Sequence, residues 1–282
     1  MLVPQDVIYL YDGSYDGALC CIFEAFRAHQ RPRQIWAEDE AQPTLCETKR
    51  IWTDKEKANR VAAVLAPKIS RRAEETVESL YWCAVPQKEL LMLDFVALGL
   101  EQGARVTTML GDPMVASVAE AVKQLYKEAH NYKGFVRFSV HDYALTAEIE
   151  PKNFVLPLLR SHFCARYRNE TFLIYDKTHK AALVYYQGKS QILPLEQLEL
   201  PTPDAAEQEI RALYRQFFKT IAIEARKNPR CQMSHVPKRY WAQMLELREE
   251  NGLPPPQETP KSLEQKNAGR CLQTSEIESR LT

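Results

Sequence analysis

The spacing of apolar residues changes once along this chain, near Lys133, and that change limits what the chain can fold into. From Thr53 to about Asn131 apolar residues recur at helical spacing, broken at Pro67, Pro86 and Gly111-Asp112-Pro113. Four helices are therefore expected over about 53–131. Beyond Lys133 the period becomes two. The stretches GFVRFSV, LTAEIEP, TFLIYD and AALVYYQG alternate or run apolar, and polar turns such as residues 176–180 separate them. This predicts an antiparallel β meander over about 133–200. The fold class is α+β: an amino-terminal strand and helical region packed with the meander and a long carboxy-terminal amphipathic helix.

At the amino end, DVIYLYDGSYDGALCCIFEAFRAH reads as a buried strand, a turn at Asp12-Gly13-Ser14, and a helix with Leu19, Ile22, Phe23 and Phe26 on its apolar face. Arg31 to Trp52 is polar and irregular, and Thr53 to Glu56 has the spacing of a capping box. Thr202, Pro203 and Asp204 have the cap, first-turn proline and early acid of a helix start. In the helix that follows, Ile210, Leu213, Tyr214, Phe217, Phe218, Ile221 and Ala225 keep a 3.6-residue period. Residues 203–245 thus form a basic helix and the loop after it. A single domain over 1–250 is expected, with residues 251–282, rich in proline and polar side chains, as a disordered tail.

The 282 residues carry 37 basic and 37 acidic side chains, so any attraction to nucleic acid must come from local clustering. Such clustering occurs between Arg211 and Arg239, where eight Lys or Arg residues meet one acid, Glu224. At 100° per residue, Arg211, Arg215, Lys219 and Arg226 lie within about 80° of one another, away from the apolar face. A solvated face would look similar, and Glu207 is spaced to satisfy Arg211. The alternative is an anion-binding face extended by RKNPRCQMSHVPKRYW, Arg226 to Trp241. In that face Arg215, Lys219, Arg226, Lys227, Arg230, Lys238 and Arg239 meet phosphates and Tyr240 stacks on a base. Trp241 is expected in the core. His130, Lys133 and Arg137 form a second positive cluster, with Gly134 permitting a close backbone approach. Here the competing reading pairs Arg137 with Glu148 or Glu150 across a hairpin.

Other motifs carry less. YDGSYDG follows a buried strand, where α/β proteins often build sites, but it lacks GxGxxG and GK[ST], so Asp12 and Asp16 read as turn formers and caps. YKGFVRF lacks the spacing and surrounding order of an RRM strand. His162 and Cys164, two apart on an expected strand, have nothing to orient the imidazole and read as packing. The seven cysteines show no metal-ligand spacing, and neither a metal nor a cofactor is expected. No apolar run approaches the ~18 residues of a spanning helix, and no signal peptide is evident. A cytoplasmic location is expected.

The segments YDGSYDGAL, EAHNYKGFVRF, AEIEPKNFVLPLLRSHF, LIYDKTHKAALVY, RQFFKTIAIEARKNPRCQ and PKRYW occur in order over most of residues 7–245. In them the chain resembles the bacterial "probable DNA metabolism protein" family, a domain of unknown function. The resemblance implies a setting beside a radical SAM protein thought to modify or repair DNA, and sometimes fusion to a uracil-DNA-glycosylase domain. It implies no catalytic residue, and this chain has no CxxxCxxC cluster. The expected role is a DNA-binding accessory protein acting with such a partner. The alternatives are a DNA-processing lyase or nuclease that gathers Asp12, Glu128, His130 and His162 in one cleft, or an adaptor whose basic helix binds the radical SAM protein.

Overall fold

A computed structural model describes residues 2–141, 144–198 and 205–248. The expected tail at 251–282 and the expected helix start at 202–204 lie outside the described residues. Contacts cluster into two compact units, Met1–Tyr126 and Lys127–Thr282. The class is α+β, with mostly antiparallel pairing in the larger sheet.

The first unit comprises β1 (Val3–Pro4), β2 (Val7–Tyr11), α1 (Tyr15–Ala28), β3 (Gln30–Arg31), β4 (Gln34–Ala37), β5 (Glu47–Arg50), α2 (Lys55–Lys68), α3 (Arg71–Tyr81), α4 (Lys88–Gln102) and most of α5 (Pro113–Phe135). The four helices expected between 53 and 131 are therefore present as α2 to α5. Arg31 to Trp52 is not irregular: β4 and β5 flank β2 in a three-stranded parallel sheet, and β3 pairs with β1. β2 is apolar on both faces because it is central, with Ile8, Tyr9 and Tyr11 almost wholly buried. Ser14 caps α1 by accepting from the Gly17 amide, and Asp54, not Thr53, caps α2 by accepting from the amides of Glu56 and Lys57.

Polar groups inside this unit are paired. The Tyr11 hydroxyl donates to Glu89 at 2.7 Å; burial, reinforced by the Glu89 charge, raises the phenol far above its ordinary range. Arg31 makes a two-pronged contact with Asp94, both distances being 2.7 Å. Glu24, buried on α1, takes Arg27 of the same helix at 2.7 Å and Lys49 of β5 at 2.6 Å, and the second pair joins helix to sheet edge. The Arg27 hydrogen bonds above all, then those from Lys49, hold its carboxyl down to about 2 against the opposing effect of burial.

In the second unit, α5 ends and β6 (Ser139–His141), β7 (Ala144–Ile149), α6 (Leu156–Arg166), β8 (Thr171–Asp176), β9 (Ala181–Tyr186) and β10 (Lys189–Pro194) follow, with α7 (Ala205–Ile221), α8 (Pro229–His235) and α9 (Leu245–Arg248) beyond. Strand order is β10-β9-β8-β7-β6. Neighbours in sequence are neighbours in space, as in a meander, but β7 and β8 are parallel. The cause is α6, which carries the chain back between them, as parallel pairing requires. His162 and Cys164 consequently sit on a helix and not on a strand, where a spacing of two turns them to different sides. Phe172 of β8 stacks on Tyr185 of β9 at 5.1 Å and joins Phe138, Phe163 and Tyr167 in an aromatic cluster. Leu173, Tyr175, Ala182, Val184 and Leu195 form a second apolar cluster, on the opposite sheet face by strand alternation. Among the described residues no helix is long and apolar enough to cross a membrane.

Two predictions concern the first unit. A methyl at Gly17 would stand 2.3 Å from Asp12 Oδ1 and 2.8 Å from the Tyr11 ring. Gly17→Ala should therefore lower stability by roughly 1–3 kcal/mol, read as a shift of the urea midpoint. Because the folded Glu24 value lies below the ordinary 4.5, its contribution is complete above that pH and is lost as pH falls toward about 2. Glu24→Gln should be less stable at neutral pH and show a flatter acid limb over that window in urea titrations.

Candidate nucleic-acid interface

The basic segment is held in place by a buried carboxylate. Glu128 on α5 is almost wholly buried and accepts from the Lys152 and Asn153 amides at 3.1 and 2.9 Å and from Asn153 Nδ2 at 2.6 Å. Arg239 approaches the same carboxylate at 3.3 Å and donates to the Tyr240 hydroxyl at 2.6 Å. These contacts tie α5 to the β7–α6 connection and to the 3-10 segment Lys238–Gln243. Trp241 is buried as expected and donates its indole N–H to the Val236 carbonyl at 2.9 Å. The chain continues from this 3-10 segment into α9.

Tyr240 is not a stacking group. It is 0% exposed, with its ring edge-on to Tyr132 at 5.1 Å and tilted on Phe135 at 5.3 Å. An apolar site three residues into a basic stretch drew the ring inward, leaving no face for a base. Arg239 is correspondingly engaged within the fold.

Several other cations of the segment are also paired. Arg211 donates to Glu207 at 2.7 Å, as its spacing predicts, and to Ser139 Oγ at 2.7 Å. Arg137 pairs with neither Glu148 nor Glu150, which both approach Lys177. It lies over the Tyr214 ring at 4.4 Å, donates to the Tyr214 hydroxyl, and reaches Glu246 at 3.3 Å. Burial and the Glu246 charge push the Tyr214 phenol up. Of the second cluster, His130 is exposed and Lys133 half-buried. Gly134 lies within α5, and a methyl there would meet nothing within 4 Å, so it permits no close approach.

What stays outward is narrower. Lys219, Arg226 and Arg230 are exposed, and among the described residues no acid pairs with them. Lys227 and Lys238 are exposed too, the latter 5.8 Å from the Trp241 ring. Arg215 and Lys219 line one shallow depression along α7 with Ala212, Gln216 and Thr220. On another side of α7, Ile210, Leu213, Phe217 and Ile221 are each more than half exposed. The apolar period seen in the sequence is thus real as far as Ile221, where α7 ends; Ala225 and Arg226, expected on the same helix, fall in a separate 3-10 turn, Glu224–Arg226, and among the described residues nothing covers the stripe.

The residues of the enzyme alternative serve other ends. Asp12 accepts from the Ser14 amide and hydroxyl and from Thr53 Oγ1, and Glu128 is occupied as above. In the second unit no hydrogen bond joins Glu128, His130 and His162 among the described residues. Burial, then Lys133 and Arg166, hold the His162 imidazole below its ordinary range, so it adds no charge to the cluster at neutral pH. Sequence reasoning missed one polar pair: Asp176, 0% exposed, accepts from His179 Nδ1 at 2.7 Å and from the Thr178 and His179 amides. Its signal was the Asp-x-x-His spacing in a segment read only as a turn. Among the described residues no group of His, Cys, Asp and Glu could hold a metal ion.

None of the curated proteins matches the chain. The model of a domain of unknown function, DUF4130, matches residues 86–246. That span takes in more than half of the chain, including α5, the five-stranded sheet and the basic segment. The chain belongs to the DUF4130 family.

Proposed function

We propose that this protein binds DNA as an accessory factor in repair or modification, acting with a radical SAM or uracil-DNA-glycosylase type partner. The observation that carries the reading is the run of exposed cations from Lys219 to Arg230 in a chain whose formal charge is zero. Lys219, Arg226, Lys227, Arg230 and Lys238 supply phosphate contacts, with Arg215 at the edge of the same face. Such contacts position a strand without reading its sequence. The partner rests on the resemblance to the DNA metabolism family, whose members lie beside or are fused to such proteins.

The uncovered stripe of Ile210, Leu213, Phe217 and Ile221 favours a second reading, an adaptor that offers one face of α7 to a protein. Under that reading, substitution of Leu213 and Phe217 by Ser disrupts co-purification with the radical SAM partner, and the complex survives nuclease treatment.

If about six phosphates are neutralised, log affinity for duplex DNA should fall with log salt at a slope near −5. Charge reversal at Lys219, Arg226 and Arg230 together should weaken binding across unrelated sequences and flatten that slope by about 3. Tyr240→Phe, which keeps the buried ring, should leave affinity unchanged. Binding that is absent or independent of salt in anisotropy titrations overturns the DNA reading.

A further inference from the structure

All three strands of the sheet β4-β2-β5 run parallel, so their carboxyl ends open on one edge. The chain leaves the central β2 first toward β4 on one side and later toward β5 on the other. Parallel sheets bind ligands outside the strand ends at such a reversal of order. Asp12 follows β2, Glu38 follows β4, and Arg50, Trp52 and Thr53 end or follow β5. The Arg50–Glu38 ion pair, at 2.5 Å, therefore spans from one outer strand to the other, past the end of β2.

Above that ion pair stands an indole. Trp52 is 69% exposed, and the Arg50 guanidinium lies 4.0 Å from its ring centroid. A lone exposed apolar side chain needs no explanation. Trp52 differs because a paired guanidinium backs its ring and because it stands at the strand ends. Thr53, the next residue, donates to Asp12 at 2.7 Å, as does the Ser14 hydroxyl. A flat face backed by a guanidinium thus stands one residue before Thr53, whose hydroxyl, like that of Ser14, is held on the Asp12 carboxylate.

We propose that this edge of the first unit binds a nucleobase, stacked on Trp52 with its hydrogen-bonding edge toward Asp12, Ser14 and Thr53. A base offers a π-face to the indole, and its ring N–H or amino groups are the donors that the carboxylate accepts. The base belongs either to a free nucleotide or to an unpaired strand. The residues of this site all belong to the first unit, and the proposal does not rest on the basic segment.

Calorimetric titration of the full chain with dTMP, deoxyribose 5-phosphate and (dT)10 tests this. The base-bearing ligands should bind more tightly than the base-free sugar phosphate. Trp52→Ala should weaken them by roughly 5- to 150-fold, as expected for one stacked base, and Trp52→Phe, which retains an aromatic face, should restore most of the loss. Dependence on Trp52 for dTMP identifies a nucleotide site, and dependence for (dT)10 alone identifies a strand. If neither ligand's affinity changes in Trp52→Ala, or deoxyribose phosphate binds as well as dTMP, the proposal is wrong. Because Trp52 is exposed, its replacement leaves the core intact, and an unchanged urea midpoint verifies that.

Discussion

The placement of the basic segment depends on one buried carboxylate. Glu128 sits inside the second unit with hydrogen bonds from two backbone amides and one side-chain amide, and an ion pair with one guanidinium. A charge removed from water is tolerated only when its lone pairs are met in this way, and removing one partner exposes the full desolvation penalty. The same Arg239 that completes the shell of Glu128 holds the Tyr240 hydroxyl, and the Tyr240 ring fills the space against Tyr132 and Phe135. One ion pair therefore fixes the point from which the preceding cations project. Lys219, Arg226 and Arg230 owe their location to residues that carry none of the proposed contacts.

Pairing within the fold divides the cations into two sets. Arg211, Arg137 and Arg239 each have a carboxylate partner that is almost wholly buried, namely Glu207, Glu246 and Glu128. Charges so engaged stabilise packing and contribute little field outside. Lys219, Arg226 and Arg230 remain exposed on a short stretch of chain whose one acid is Glu224, so an excess of positive charge survives there. Zero net charge and a positive patch are compatible for this reason.

Legibility in the sequence followed the range of the forces involved. The four helices between 53 and 131, the β2 strand and the strands β8 and β9 are set by periodicity that neighbouring residues share, and each could be read. β4 and β5 could not, because these flanking strands of four residues each, Gln34 to Ala37 and Glu47 to Arg50, show no clear alternation and owe their shape to pairing with β2. α6 was hidden between two strands because LPLLRSHFCAR is apolar around much of its circumference, so its period is weak. Of the site, charge clustering was legible and side-chain direction was not. Tyr240 looked like an exposed ring beside cations, and only its long-range packing against α5 reveals it as core.

The α7 helix shows why periodicity alone cannot assign a partner. Its apolar residues recur with the regularity of a buried face, yet Ile210, Leu213, Phe217 and Ile221 stand in water, while Glu207, Arg211 and Tyr214 make the contacts that hold the helix. Four large side chains, each more than half exposed along one line, forgo part of the roughly 1.5–3 kcal/mol that full burial of each contributes. A second surface that covered them would recover much of it, whereas phosphates would gain nothing from that side. The basic and apolar faces of α7 diverge around its axis, so contact of one with DNA leaves the other open to a protein. That division makes an accessory role, in which one helix joins a strand to a partner, more economical than a role confined to either.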